Sequence, residues 1–569
     1  MFLRKRRARW RAQVEDATRR GFTAADGRLP LSELARAALR KAFPDHWAFL
    51  LGEIALYSFV VLLLTGVYLT LFFDPSMVET TYKGPYVPLQ GQPMTQAYTT
   101  TLYLSFEVRG GLLIRQVHHW AALVFLAAVA VHMLRVFFTG AFRKPREANW
   151  VLGVTLFILA MVEGFAGYSL PDDLLSGTGL RTAATIVGSI PVVGTYLEMA
   201  VFGGQFPGHV VIPRLYVLHV LLVPALLVAL VTAHLLLVFY LKHTQWAVPG
   251  RTNRNAVGQP MVPHFATKST GLFLLVFGTL TVMGAVAQVN PVWNYGPYRG
   301  DQDSAGSQPD WYVGFLEGAL RLMPPWETPV AGHTIMWNVF VPTLVLPGLL
   351  FTGLLFYPLI ERWLTGDRAE HHLCDRPRNR PARTGLGVAG IVFYAVLLLA
   401  GGNDVIAFGF QLSVETITWI LRIALIVAPP LAFAVTRRLC LALQERDRRR
   451  LAEGEETGEV GQAVHGELSS GHRAVGPTVR YRLLMRDTPE PLGLPDEERV
   501  PRRRRLRVAA SRWFQGRQVE LPATAKERAS VEERLAPPRQ ADEPTDDAVQ
   551  GTGGPGGSPH AAKAAEQAD

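Results

Sequence analysis

Two cysteines in 569 residues, Cys374 and Cys440, exclude a disulfide framework and a thiolate metal cluster within the chain. Charge is scarce as well. Asp, Glu, Lys and Arg supply 18% of the residues against 49% hydrophobic ones, and a mean hydropathy of +0.16 is too apolar for a soluble protein of this length. No apolar run follows the basic start MFLRKRRARWRAQ closely enough for a cleaved signal peptide, so this end is expected to stay cytoplasmic.

What is present is a series of apolar runs at about 47–73, 112–138, 150–169, 214–241, 271–289, 334–357, 388–410 and 416–437, each long enough to cross a bilayer. The expected fold is an all-α integral membrane protein of eight transmembrane helices. With alternation from a cytoplasmic start, the inner loops hold thirteen Lys and Arg and the outer loops, longer in sum, hold five: Lys83, Arg109, Arg181, Arg299 and Arg321. This asymmetry places both termini inside. The formal charge of +10 then reflects orientation and anionic lipid, and requires no nucleic acid.

Four regions follow: an N-terminal region 1–46, a four-helix bundle 47–241, a second four-helix domain 242–437 and a tail 438–569. SELARAALRKAF, residues 32–43, has the spacing of an interfacial helix or of a soluble lead-in. The tail is charged and rich in Pro and Gly, and is expected to be largely disordered, with a docking segment near PTVRYRLLMRD. Three outer loops exceed the length of simple connectors and are expected to carry function.

RQVHHWAALVFLAAVAVHMLR, residues 115–135, sets imidazoles inside an apolar run. At 100° per residue His118 and His132 end about 40° short of four full turns, on one face and roughly 21 Å apart along the axis; His119 points about 140° away. In RLYVLHVLLVPALLVALVTAHLL, His219 and His234 end about 60° past four turns, still on one side. Both helices run inward, so His118 is level with His219 and His132 with His234. One histidine in a membrane helix is more often a packing or proton-relay residue, but four at matched depths are costly and point to function. Zinc wants three or four protein ligands at one level. Two facing histidines suit an octahedral iron whose other ligands come from a porphyrin.

Room for a porphyrin is suggested by GEIALYSFVVLLLTG, which puts Gly52 and Gly66 at the histidine interval on the first span, and by GVTLFILAMVEGFAG, which does the same with Gly153 and Gly167 on the third. Glycine in membrane helices usually serves close packing, but two pairs matching the histidines would thin two helices at the same depths. Arg115 and Arg135 flank the histidines near the two membrane faces, placed for haem propionates or as snorkelling end residues.

With these features the chain, over about residues 45 to 437, resembles the cytochrome b subunits of respiratory quinol:cytochrome c reductases. The resemblance implies two b haems in the first four helices: a low-potential one near the outer face on His118 and His219, and a high-potential one near the inner face on His132 and His234. The His219 to His234 interval is that of the photosynthetic and Gram-positive branch. Those photosynthetic relatives attach a further haem through a cysteine where this chain has Leu50. The continuous chain, its tail and the PDWY spelling look most like the actinobacterial version.

In QPDWYVGFLEGALRLMPPWE, Asp310 stands where most relatives have Glu. The family assigns this acid to proton acceptance at an outer quinol-oxidation site and gives Tyr312 the pocket wall. GYSLPDDLLSG replaces the usual Trp-Gly with Asp172 and Asp173; these read first as solvated loop acids, with an added proton exit as the alternative. TAATIVGSIPVVGTYL matches the amphipathic helices that cover the same pocket. Lys242 and His243 lie at the depth of the inner quinone site without matching the family pattern closely.

The resemblance further implies menaquinol as substrate, a Rieske iron–sulfur partner, a dihaem cytochrome c subunit, a homodimeric complex in a bacterial plasma membrane and a terminal oxidase as supercomplex neighbour. Two other readings compete. A proton-relaying secondary transporter fits the histidines but neither the glycine pairs nor the lack of an inverted repeat, and a dihaem anchor for a dehydrogenase needs only the first four or five spans.

Overall fold

The computed structural model describes residues 41–530 apart from 45, 205, 207, 303–307, 487–489, 495–499, 524–525 and 527–528, together with Glu33 and Leu39. Most of the expected interfacial helix at 32–43 lies outside the described residues. Its last two residues, Ala42–Phe43, form a strand paired antiparallel with Gln259–Pro260.

Among the described residues eight helices are long and apolar enough to cross a membrane: Trp47–Thr70, Gly111–Phe138, Glu147–Tyr168, Val211–Leu241, Met261–Val286, Trp337–Thr365, Pro381–Gly401 and Val414–Glu453. Several span ends depart from those that hydropathy suggests. The sixth span runs on through Glu361 and Arg362 to a left-handed Gly366, because Glu361 is buried against Arg383 rather than solvated. The seventh span starts early at Pro381, a residue suited to a first helical turn, and ends at Gly401; a separate helix, Asn403–Phe410, follows. The fifth span starts ten residues before its apolar run.

The first four spans share a core in which Phe59 and Phe125, each midway between its glycine or histidine pair, stack at 5.5 Å. The second domain is fastened to this bundle by hydrogen bonds from buried and half-buried side chains. Trp120 Nε1 donates to Ala287 O (2.7 Å), Gln116 Nε2 to Val289 O (2.9 Å) and Trp150 Nε1 to Leu354 O (2.6 Å). At the inner ends Asp375 accepts from Arg380 and Arg383 and pairs with Arg143, and these guanidiniums hold its carboxyl far below the usual carboxylate range. The outer loops are built rather than loose. A hairpin of Glu79–Thr81 with Pro93–Thr95 leads into the helix Gln96–Phe106, and the helices Leu174–Gly188, Gly194–Phe202 and Gly314–Leu322 complete that face.

The tail departs from the expected disorder as far as it is described. The last span continues to Glu453, a hairpin pairs Glu455–Gln462 with Leu468–Arg473, and helices follow at Pro477–Leu484 and Arg502–Gln515. Its average composition hides a few apolar anchors: Tyr481, Leu483, Leu484, Val508 and Phe514 are buried, and Tyr481 Oη donates to Arg251 O (2.8 Å). The Gly-rich end, 531–569, lies outside the described residues. A chain cut after residue 475 is expected to unfold at a lower temperature, since each such side chain contributes about 1.5–3 kcal/mol when fully buried. Thermal unfolding followed by circular dichroism checks this; an unchanged midpoint would show that the docked helices hold nothing.

Candidate functional site

The outer pair of histidines lies ring to ring, with one device that the spacing hides. His118 on the second span and His219 on the fourth face one another with ring centroids 6.3 Å apart and planes at 81°. The fourth span makes a π turn over Leu218–Leu222. Such a turn takes up one extra residue, about 100° of rotation, which brings His219 and His234 from 60° past four turns to roughly 40° short of them, the same phase as His118 and His132.

The glycines sit opposite these rings. A Cβ on Gly66 would stand 3.3 Å from His118 Cε1, one on Gly52 3.1 Å from His132 Cε1 and one on Gly153 3.7 Å from His234 Cε1, while one on Gly167 would collide with the His219 ring. Two levels result. Gly66, His118, His219 and Gly167 form the outer one; Gly52, His132, His234 and Gly153 form the inner one.

The outer rings are oriented through their Nδ1 atoms. His118 Nδ1 lies 2.8 Å from Thr65 Oγ1, whose own proton goes to Val61 O; His219 Nδ1 lies 3.1 Å from Glu163 O and 3.0 Å from Glu163 Oε1. Each ring thereby keeps Nε2 for a ligand in the gap. A metal–nitrogen bond of about 2.0 Å on each side plus a ring radius of roughly 1.2 Å gives two centroids about 6.4 Å apart, close to the separation seen. Among the described residues no three His, Cys, Asp or Glu converge, so a metal here needs further ligands from a macrocycle. A cavity of about 310 Å³ opens beside the outer pair, bounded by Gly66 and Gly167, and is of ligand-pocket size. These residues fit a bis-histidine haem.

Arg115 lines the same cavity, donates to Asn290 O (2.9 Å) and has a buried Nε without a partner. Arg135, at the inner level, lies over the Phe49 ring at 4.9 Å and also has a buried, unpartnered Nε. Both guanidiniums thus have capacity for an anionic group. Nearby, His243 packs 4.7 Å from Phe43 with its Nε2 buried and unpartnered, and burial together with Arg135, Arg146 and Lys41 pushes its pKa down to about 4. Lys242 has a positive φ of 64° and its carbonyl accepts from Arg146 Nε. His243 is neutral there, and Lys242 contributes backbone shape.

The outer cavity also reaches Asp310 and Tyr312. Tyr312 Oη donates to Asp310 Oδ2 (3.3 Å), and burial beside Asp310 holds the phenol well above its ordinary pKa. On the other side Asp310 Oδ1 lies 3.3 Å from His119 Nε2. His119, rejected as a ligand by its face, is therefore a neighbour of the acid across a sequence separation of 191.

Asp172 and Asp173 are not solvated loop acids, for they are 6% and 0% exposed. Asp173 caps the helix Leu174–Gly188, accepting from Leu175 N, Ser176 N and Ser176 Oγ, as an Asp at an N-cap commonly does. Asp172 has a φ of 57° and accepts from Thr95 Oγ1 (2.8 Å), and burial pushes it up to about 7. Sequence reading also passed over Glu163, although a lone acid inside an apolar run is a signal in itself.

Known proteins resemble this chain over most of its length. Residues 123–297 match the family described as Cytochrome b(N-terminal)/b6/petB. A cytochrome bc1 complex cytochrome b subunit of Streptomyces coelicolor is 52% identical over 505 residues, 88% of this chain and 92% of the relative. Subunits of the same description from Mycobacterium bovis and Corynebacterium diphtheriae are 54% and 51% identical, each over 79% of this chain and over 82% and 83% of their own lengths. A solved structure titled Hyperthermophilic respiratory Complex III shares the fold, with a TM-score of 0.55 at 20% identity over 73% of this chain and 98% of that one. Relatives at this identity, matched over nearly their full length, settle the family: the chain is a member of the cytochrome b subunits of cytochrome bc1 complexes.

Proposed function

We propose that the chain takes electrons from a quinol, menaquinol by its actinobacterial likeness, at the outer cavity and carries one of each pair inward across the membrane. The observation that carries this reading is the pair of stacked histidine levels, the outer one sharing a cavity with Asp310 and Tyr312. Haem b at each level would supply reversible one-electron chemistry. His118 and His219 would hold the outer group and His132 and His234 the inner one, with Arg115 and Arg135 pairing with the carboxylate edges.

The protein's own part is positional and protonic. Asp310, set between His119 and Tyr312, accepts a proton from the quinol hydroxyl, and Tyr312 with Trp311 walls the ring. The buried Asp172, with its raised pKa, is suited to pass a proton onward. At the inner face Lys242 and His243 are the candidates for contact with quinone. Membership of a bc1 complex supports an iron–sulfur subunit as acceptor of the other electron, a dihaem cytochrome c subunit, a homodimer and an oxidase neighbour. The cation-rich inner connections support cytoplasmic termini in a bacterial plasma membrane.

Affinity purification of the complex with haem quantification tests the reading. Two haem b per chain and a reduced-minus-oxidised spectrum sensitive to quinol-site inhibitors are expected. A haem-free chain would favour a transporter, and two haems without inhibitor sensitivity would favour a dehydrogenase anchor.

A further inference from the structure

Among the described residues only one of the four histidines meets a carboxylate. His219 Nδ1 lies 3.0 Å from Glu163 Oε1, inside the third span, and both side chains are largely buried, at 18% and 17% exposure. At the other outer ring the Nδ1 neighbour is the neutral Thr65 hydroxyl. At the inner level the Nδ1 atoms of His132 and His234 meet no carboxylate. Arginines do not supply this asymmetry, because Arg115 and Arg135 give each level one guanidinium.

We propose that Glu163 is a positioning residue which, acting through His219, lowers the reduction potential of the outer haem relative to the inner one. The proposal rests on the haem-ligand reading above. An axial imidazole that gives its Nδ1–H to a carboxylate is a stronger electron donor to iron, and a negative charge beside the site favours the more positive, oxidised iron. Both effects make the outer haem harder to reduce. Transfer of one electron from the outer iron to the inner iron, which oxidises the first and reduces the second, then runs downhill into the membrane. The second oxygen of Glu163 is buried without a partner, so the carboxylate serves the ring alone. Gly167, against the same ring, leaves His219 no side chain that could turn it another way.

The test is potentiometric titration of the α-bands of the purified complex, with the outer band assigned from the His118→Ala protein. Glu163→Gln keeps an acceptor and removes the charge; Glu163→Leu removes both. The Gln protein is expected to bind two haems, with the outer one favoured for reduction by about tenfold, a rise of about 59 mV for a one-electron couple. The Leu protein is expected to shift at least as far, and the inner haem to stay put in both. Two bound haems with an unmoved outer potential overturn the proposal. If the Gln and Leu proteins lose the outer haem, Glu163→Asp gives the reading: a raised potential supports the proposal, while an unchanged potential or a lost haem overturns it in favour of a packing role. Failure of the ligand reading is separate, and shows as a His219→Ala protein that retains its outer haem.

Discussion

Replacing His118 by alanine is expected to halve the haem content of the purified complex, from two per chain to one, and His219→Ala is expected to remove the same haem. His132→Ala and His234→Ala should each remove the other. The pairing follows from the outer rings, which face one another, and from the glycines, one of which lies against each of the four rings at the matching level. Loss of either histidine would leave a haem at that level with one protein ligand instead of two. His119→Ala should keep both haems, because its ring turns toward Asp310. Haem quantification and reduced-minus-oxidised spectra of the five proteins check this. The assignment fails if His118→Ala and His219→Ala remove different haems, or if His119→Ala loses one that His118→Ala keeps. Turnover should fall to background in all four ligand variants, since the inward electron path is cut at one level or the other.

Much of this arrangement can be read from local pattern. Apolar length defines the spans, and helical phase puts His118 and His132 on one face, because both properties belong to a single helix. What escaped depends on contacts between distant segments or on a local irregularity. The π turn at Leu218–Leu222 corrects the phase of His219 and His234, and its one sequence cue is Pro224, which cannot bond the carbonyl of Val220 inside the turn. Glu361 and Arg362 look like the end of a span, yet the helix runs past them because Arg383 neutralises Glu361 in the interior. Asp172 and Asp173 have loop composition but close under the outer helices, one as a cap and one as a raised-pKa acid. The tail's anchors are too sparse to move its average composition. His119 shows the limit best: its helical face excludes it as a ligand, and only the fold brings Asp310 to it.

That meeting shapes the expected behaviour of Asp310. Quinol oxidation releases protons at the outer side, and a half-buried pocket needs a carboxylate that can take one from the reacting oxygen and turn away with it. Asp310 has two neighbours that would define such a swing, Tyr312 Oη at one oxygen and His119 Nε2 at the other, each at 3.3 Å and therefore loosely held. Asparagine keeps the size and one acceptor oxygen while removing the charge and the basic oxygen. Asp310→Asn is therefore expected to slow quinol oxidation at least tenfold, about 1.4 kcal/mol or more in barrier, with both haems still bound and reducible through the inner site. Asp310→Glu should retain most activity: the longer arm still reaches the cavity, and the wider family carries Glu at this place. Steady-state turnover with the partner subunits present is the measurement. Unchanged turnover in the Asn protein would remove Asp310 from the mechanism and pass its role to Asp172, whose buried carboxyl, pushed up to about 7, can take up a proton and release it again near neutral pH, whereas Asp173 is tied to the start of its helix by three hydrogen bonds.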